Sequence, residues 1–323
     1  MMDSQTIARI RGIAVGAAVG DALGMPLEFG LASHPRALIR TMLPGRLPAG
    51  HFTDDTELAL AVAESLLACG EVQPADLALR FAEWYRSGPS DVGVHTQAVL
   101  SRFAEGQPWD EAAEAVFRER PESAGNGSLM RSWPLALVFW QDLPALRAAS
   151  ALECRVTHRH PECVAACVFL NTMLAHLIHG APPTEALQLT LAEAQPLPEG
   201  LEHAIRLAPR RRREELRNTG WVRHTLESAL WSLFNSHNFE ETLVQVINLG
   251  ADADTAGAVS GALAGATYGL DAIPQAWREA VHGEYPLNSG KTWRAQDLID
   301  LADRLAALHK GNRVSQDSKT ASR

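Results

Sequence analysis

The sequence predicts an all-α chain folded as a single compact domain, and three observations carry that expectation. Apolar residues recur mostly at helical spacing, while the period-two alternation of strands is scarce. Ala and Leu dominate and aromatic residues make up only 6%, a composition that favours helix over sheet. No linker interrupts the composition, and two acidic clusters at 52–56 and 250–255 could share a site only within one domain. That domain is expected to span residues 1–309, followed by a polar, Ser/Lys-rich and disordered tail at 310–323.

The first expected helix, 5–20, is built from small residues and runs into Gly20-Asp21-Ala22-Leu23-Gly24. A loop rich in Gly, Pro and His then occupies about 30–52. The helix at 56–69 follows the first acidic cluster, and 75–87, 91–105 and 110–119 follow by apolar spacing. The Gly-rich turn at 125–128 opens a helix at 128–141. Helices at 145–155, 161–179, 183–194, 200–216, 221–236 and 239–248 come next. The second acidic cluster opens 255–268, and 274–281 and 293–309 complete the set.

The balance of 46% hydrophobic and 21% charged residues is that of a globular protein with ample core. A net charge of −9 argues against a general nucleic-acid binder, which needs a basic surface. Four cysteines in 323 residues make no disulfide framework. The N-terminal Met-Met-Asp-Ser-Gln-Thr lacks a signal-peptide pattern, and the Ala-Val-Gly-Ala-Ala-Val stretch is too short and Gly-rich to span a membrane. The expected compartment is a reducing cytoplasm.

Phe52-Thr53-Asp54-Asp55-Thr56 and Gly250-Ala251-Asp252-Ala253-Asp254-Thr255 each precede a small, apolar helical run. Helix capping accounts for one polar residue per start but leaves the surplus carboxylates unexplained, because neighbouring carboxylates repel. Carboxylate and hydroxyl oxygens gathered there suit a hard divalent cation rather than zinc. Metal site and ordinary caps remain the two readings of this pattern.

Glu28 follows the break in the first helix and is either a surface acid or one aimed inward. Asp91, in Ser87-Gly88-Pro89-Ser90-Asp91-Val92-Gly93, reads as an N-cap or as an acid held on a rigid turn. Gly125-Asn126-Gly127-Ser128 is a plausible phosphate cradle that lacks P-loop spacing, with Ser128 as the cap under the plainer reading. Thr157-His158-Arg159-His160-Pro161-Glu162-Cys163 hints at zinc, but Cys163 and Cys167 sit in an apolar run and read as core. His158 could instead bond a phosphate or ribose. The Arg210–Arg213 run reads as a solvated helix face, and Trp221 and Trp231 as core residues or base-stacking surfaces.

Taken together these segments resemble the ADP-ribosylglycohydrolase family, especially its bacterial dinitrogenase-reductase-activating members, which act on ADP-ribosyl-arginine. The matching pieces, in family order, are Gly20–Gly24 with Glu28, Phe52–Thr56, Pro89–Gly93, Gly125–Arg131, Thr157-His158, Gly220–Val222 and Asn248–Thr255. The resemblance implies an orthogonally packed helical domain holding two Mg²⁺ or Mn²⁺ ions. It places their ligands on Thr53, Asp54, Asp55, Asp252, Asp254 and Thr255, with Glu28 at the edge. Four Asp carboxylates then balance two divalent cations.

The implied reaction cleaves the N-glycosidic bond between ADP-ribose and a protein arginine, with Asp91 and Glu28 as candidates for moving the proton. Gly125, Asn126, Gly127, Ser128 and His158 would hold the pyrophosphate and ribose, and Trp221 the adenine. Partners are then an ADP-ribosylated protein as substrate and ADP-ribose as product, with no membrane. Alternatives are another ADP-ribose linkage (serine, O-acetyl-ADP-ribose or nucleic acid), a two-metal phosphohydrolase, and a non-catalytic ADP-ribose-binding or immunity protein. One departure stands out: the family's second acidic motif commonly begins Gly-Gly, and this chain has Leu249-Gly250.

Overall fold

The computed structural model describes residues 2–193 and 196–308 in full, and the last helix is traced by its backbone to Thr320. The tail expected at 310–323 lies outside the fully described residues. Among the described residues the chain forms fifteen α-helices and one small hairpin. The helices are α1 (Ser4–Gly24), α2 (Asp54–Cys69), α3 (Pro74–Arg86), α4 (Val94–Ala104), α5 (Trp109–Glu119), α6 (Trp133–Phe139), α7 (Leu143–Arg155) and α8 (Pro161–Ile178). They continue with α9 (Pro183–Glu193), α10 (Glu199–Leu207), α11 (Val222–Phe234), α12 (Phe239–Ile247), α13 (Ala253–Tyr268) and α14 (Gln275–Ala280). The strands β1 (His282–Glu284) and β2 (Thr292–Arg294) pair antiparallel before α15 (Ala295–Thr320).

The centre of the fold is the antiparallel pair α1 and α13, and its cause is a glycine register. Gly12, Gly16, Gly20 and Gly24 recur every fourth residue along α1 and face Gly265, Gly261, Gly257 and Ala253 of α13. A Cβ on Gly20 would stand 1.9 Å from the Gly257 carbonyl oxygen, and one on Gly261 1.9 Å from that of Gly16. The two backbones therefore touch, an approach that only glycine permits. The consequence for the site is positional: the C-terminal end of α1 lies against the first turn of α13, so residues near 24 and 253 become neighbours.

Around this pair α11 and α12 pack on α13, and α15 crosses α1 and α6. Helices α1 and α8 are long and apolar enough to cross a membrane by composition, but most of each is buried within the protein. The hairpin was not foreseen from the sequence, since three-residue strands carry too little alternation to read. It clamps the chain just ahead of the first acidic cluster. The Phe52 amide donates to the His282 carbonyl at 2.9 Å, and the buried Phe52 ring fills the space that Gly283 leaves empty.

Three expected helices are corrected. The one at 128–141 is shortened to α6, because Pro134 fits only the first turn of a helix and bars an earlier start. The one at 200–216 ends at Leu207, after which Pro209 sits in a 3-10 turn. The Arg210–Arg213 run is accordingly not a solvated helix face: Arg211 pairs with the buried Glu227 at 2.8 Å, and Arg213 donates to the Asn248 carbonyl at 2.6 Å. The helix at 91–105 begins only at Val94, with Gly93 in the cap position, so Asp91 is not its cap.

Candidate active site

A cavity of about 800 Å³ opens where the ends of α1, α2 and α13 converge. Its lining includes Glu28, Asp54, Asp55, Asp252, Asp254 and Thr255 together with Gly125, Asn126, Gly127, His158 and Trp221. Asp91 and the Val92–Val94 turn close one side. The fold thus joins, on one cavity, residues more than 220 positions apart in sequence.

Ordinary capping does not explain the two acidic clusters. Neither Thr53, at the N-cap of α2, nor Asp252, at the N-cap of α13, uses its side chain to cap a backbone amide of its own helix. The start of α2 is capped from outside by Asp21, a wholly buried carboxylate on α1. Asp21 accepts from the Thr53 amide at 3.0 Å, the Thr56 amide at 3.1 Å and the Thr56 hydroxyl at 2.6 Å. The oxygens of Thr53 and Asp55 are left to the site: the hydroxyls of Thr53 and Thr255 both point to Asp55 Oδ2, at 3.2 and 3.4 Å. That one carboxylate ties the two clusters together.

The second cluster has its own scaffold. Asn218 is buried in the left-handed region, at φ 34°, and its amide donates to the Gly250 carbonyl at 2.6 Å. Asn126 Nδ2 donates to Asp252 Oδ2 at 2.6 Å and to Thr225 Oγ1 at 2.8 Å, which fixes the orientation of Asp252. The Leu249-Gly250 departure is absorbed without distortion. Gly250 takes φ 68° and leaves room for the Gly30 carbonyl, whereas Leu249 needs no left-handed backbone and is buried.

Burial and mutual repulsion raise the acids of the cluster. Desolvation, followed by the charges of neighbouring aspartates, pushes Asp54 and Asp55 well above the usual carboxylate range. For the same first cause Asp252 is pushed up to about 7, and Asp254 and Asp21 to about 6. Glu57, whose Oε2 accepts from Trp84 Nε1 at 2.7 Å, also rises to about 7 by burial.

The donor set fits a hard divalent cation. Glu28, Asp252 and Asp254 each offer an oxygen within 4.8 Å of the others, and Asp55 Oδ1 is buried without a hydrogen-bond partner. All of these donors are oxygen. The main countercharge the protein itself supplies is Arg46, which sequence reading missed inside the 30–52 loop. Its guanidinium pairs with Glu28, with Asp91 at 3.0 Å and with Asp254 at 3.4 Å.

Across the cavity, the Gly125–Gly127 turn is held by pairing with residues 220–222: the Asn126 amide donates to the Gly220 carbonyl at 3.1 Å and the Val222 amide to that of Ala124 at 2.8 Å. Gly127 leaves a hollow, because a Cβ there would lie 2.9 Å from Thr96 Oγ1 and 3.1 Å from His158 Cε1. Ser128 differs from its neighbours. It is wholly buried beneath the turn, with its hydroxyl facing the sulfurs of Cys154 and Cys167 at 3.2 and 3.5 Å, so it does not line the cavity. Nor does it open a helix, since α6 starts five residues later.

His158 is buried and pushed well below its usual pKa, first by desolvation and then by His95 and Arg131, so it is neutral at pH 7. It is positioned by a buried network in which Arg131 donates to Glu153 at 2.7 Å and to the Thr157 hydroxyl at 2.8 Å, and Thr157 meets His158 Nδ1 at 2.7 Å. Trp221 is half-buried on the cavity wall, its Nε1 donating to Glu162 at 2.7 Å and its ring covered by Arg223 at 4.5 Å. Trp231 is core, and its Nε1 donates to the Arg211 carbonyl. Cys163 and Cys167 are core as well.

The mostly helical domain thus brings an oxygen-rich acidic cleft and a glycine turn to one cavity. The sequence model of the family described as ADP-ribosylglycohydrolase matches residues 2–315. The chain belongs to that family. It is 33% identical to the ADP-ribosylarginine hydrolase Tri1 of Pseudomonas putida, over 96% of this chain and 83% of that protein. It is 35% identical to the ADP-ribosyl-[dinitrogen reductase] glycohydrolase of Rhodospirillum rubrum, over 83% of this chain and 88% of that one. A solved structure described as an ADP-ribosylglycohydrolase-related protein complex superposes with a TM-score of 0.80 and 35% identity, covering 95% of this chain and all of that one.

Proposed function

We propose that the protein hydrolyses the N-glycosidic bond between ADP-ribose and an arginine side chain of a modified protein, releasing free ADP-ribose. The observation that carries this reading is the meeting of both acidic clusters on one cavity that a glycine turn also lines. The relative named ADP-ribosylarginine hydrolase, 33% identical to this chain, supports the choice of arginine. A cavity of about 800 Å³ has the size of a site for such a nucleotide.

Thr53, Asp54, Asp55, Asp252, Asp254 and Thr255 would hold two divalent cations, Mg²⁺ or Mn²⁺, with Glu28 at the edge. When bound, such ions lower the pKa of water and orient the ribose hydroxyls. The remaining chemistry belongs to the protein. Cleavage develops positive charge on the ribose, which the surrounding carboxylates stabilise, and the departing guanidine nitrogen takes up a proton. Asp91 and Glu28 are the carboxyls for that proton, held on one cavity wall by their shared partner Arg46. Gly125, Asn126 and Gly127 cradle the pyrophosphate, with neutral His158 beside them as a hydrogen-bonding group. Trp221 offers the flat face for adenine. The three buried thiols, Cys154, Cys163 and Cys167, suit a cytoplasmic setting.

The test is to incubate an arginine-ADP-ribosylated protein with Mg²⁺ or Mn²⁺, and in parallel with EDTA, and to identify the product by mass. Metal-dependent release of intact ADP-ribose is expected. Release of AMP would mean pyrophosphate cleavage and overturn the glycosidic reading, and no release would move the activity to another linkage.

A further inference from the structure

We propose that Leu31, with Phe29 and Val94 beside it, forms an apolar docking rim for the folded protein that carries the modified arginine. The inference rests on the arginine-hydrolase reading above and deepens it: the site is built to recognise protein surface around the modification as well as the ADP-ribose within it.

Exposure singles these residues out. Among the described residues, the three most exposed large apolar side chains are Leu31 at 96%, Phe29 at 79% and Val94 at 72%, and the next is Leu79 at 49%. Isolated apolar side chains on a surface need no explanation, but the three extremes of a whole surface do not gather at one place by default. Phe29 and Val94 both line the cavity, Val94 from the start of α4, and Leu31 follows Phe29 by two residues.

Their outward display is enforced by the backbone. Phe29 sits in the left-handed region at φ 61°, uncommon for a bulky residue. It is kept there by an amide bond of 2.6 Å to the Ala251 carbonyl, answered by the Ala251 amide to the Gly30 carbonyl at 2.8 Å. The Ser33 amide is tied to the Asn248 carbonyl at 2.9 Å, and the Gly250 backbone leaves no room for a Cβ against Leu31. The segment is fastened along its length to the loop of the second acidic motif. A strained backbone that presents two large apolar side chains to water beside a reaction cleft is strain spent on an encounter.

The occupant follows from continuity with the cavity. ADP-ribose fills the interior, so whatever is attached to the arginine leaves through the mouth and meets this rim. With the nucleotide held inside the cavity, the group that reaches this rim is the protein bearing the arginine, and its surface can offer apolar side chains. Exposed Glu122 and half-buried Asp91 line the same cavity as Phe29 and Val94, so charged and apolar side chains are mixed at this site, as in protein interfaces. The acceptor protein is therefore expected to place an apolar side chain next to the modified arginine.

The experiment compares two substrates, an arginine-ADP-ribosylated protein and free ADP-ribosyl-arginine, with wild type, Leu31→Ser and Leu31→Met. Leu31 does not line the cavity, and at its exposure the substitution leaves folding intact. Leu31→Ser should raise KM for the protein roughly five-fold or more with kcat unchanged, and leave kcat/KM for ADP-ribosyl-arginine within about two-fold. Leu31→Met should behave as wild type. Equal KM values for the protein in all three forms would overturn the proposal, as would a parallel loss on both substrates, which would assign Leu31 to the small-ligand pocket. Failure of wild type to cleave ADP-ribosyl-arginine itself would instead remove the arginine reading, and the rim proposal with it.

Discussion

Asp21 Oδ2 accepts both the amide and the hydroxyl of Thr56, at 3.1 and 2.6 Å, so a residue of α1 begins α2. The carboxylate is wholly buried and close enough to Asp55 and Asp254 for its charge to act on both. Its role is structural and electrostatic together: it anchors the first acidic cluster and frees Thr53 and Asp55 to face the cleft.

Asp21→Asn replaces one of the accepting oxygens by a donor facing other donors. The substitution should cost about 2–4 kcal/mol of stability, from charged hydrogen bonds lost and a buried donor unpaired. Urea unfolding of the two forms measures it, and a cost under about 0.5 kcal/mol would show that α2 needs no external cap.

Gly261→Ala tests the glycine register. The added methyl would meet the Gly16 carbonyl at 1.9 Å, and both neighbours are backbone that cannot rotate away. The helices must separate, at an expected cost of about 3 kcal/mol or more. Thermal unfolding reads the loss, and weakened Mn²⁺ binding in the surviving folded fraction would show that the acidic clusters had moved apart.

Asp54→Asn and Asp254→Asn should each abolish turnover and weaken Mn²⁺ binding to the apoprotein by at least about ten-fold in calorimetry, the loss of roughly 1.4 kcal/mol. Titration curves that match wild type would withdraw these residues from the ligand set.

Without metal, the acids are a liability whose sign can be worked out. Asp21, Asp252 and Asp254 have folded pKa values near 6 or 7, above the ordinary 3.8, so between those values the folded state binds more protons than the unfolded chain. The contribution of these three acids to stability in EDTA is therefore fullest near pH 4 and falls as pH rises towards about 7. Thermal melts across that window check it, and added Mn²⁺ should flatten or reverse the slope. A metal-free protein whose stability climbs from pH 4 to 7 would contradict the crowding of these carboxylates.

Glu153→Gln should destabilise by about 3–5 kcal/mol, because it strands Arg131, wholly buried and otherwise held by Phe81 and Thr157, as an unpaired charge. Urea unfolding again decides. A neutral outcome would mean that the pair is not the anchor of the Thr157-His158 corner.

The parts of the site that were legible in the sequence are the contiguous ones. Asp54-Asp55 and Asp252-Ala253-Asp254 announce themselves because consecutive carboxylates at a helix start exceed what a cap requires. Arg46, Asn126 in its role toward Asp252, and Asn218 were not legible, since each acts on a residue remote in sequence, from 32 positions for Asn218 to 208 for Arg46, that only the fold brings near. Ser128 was misplaced for a local reason: a Gly-rich turn was taken to open a helix, and Pro134 delays it. Two signals were present and unread. Asp21 is the one carboxylate within an otherwise small and apolar helix, and the fourfold glycine spacing of α1 reappears at 257, 261 and 265.

The pairing of α1 with α13 also has a consequence for how the chain is made. Translation delivers α1 first and its partner some 230 residues later, when four-fifths of the polypeptide has already left the ribosome. Until then the glycine face of α1 has nothing to lie against, and the end of α2 that Asp21 will cap has no second acidic wall opposite it. Contacts of such long sequence separation form late and close large loops. A nascent or truncated chain that stops short of Asp252 thus carries every residue of the first cluster and no carboxylate of the second, so activity waits until α13 has joined α1.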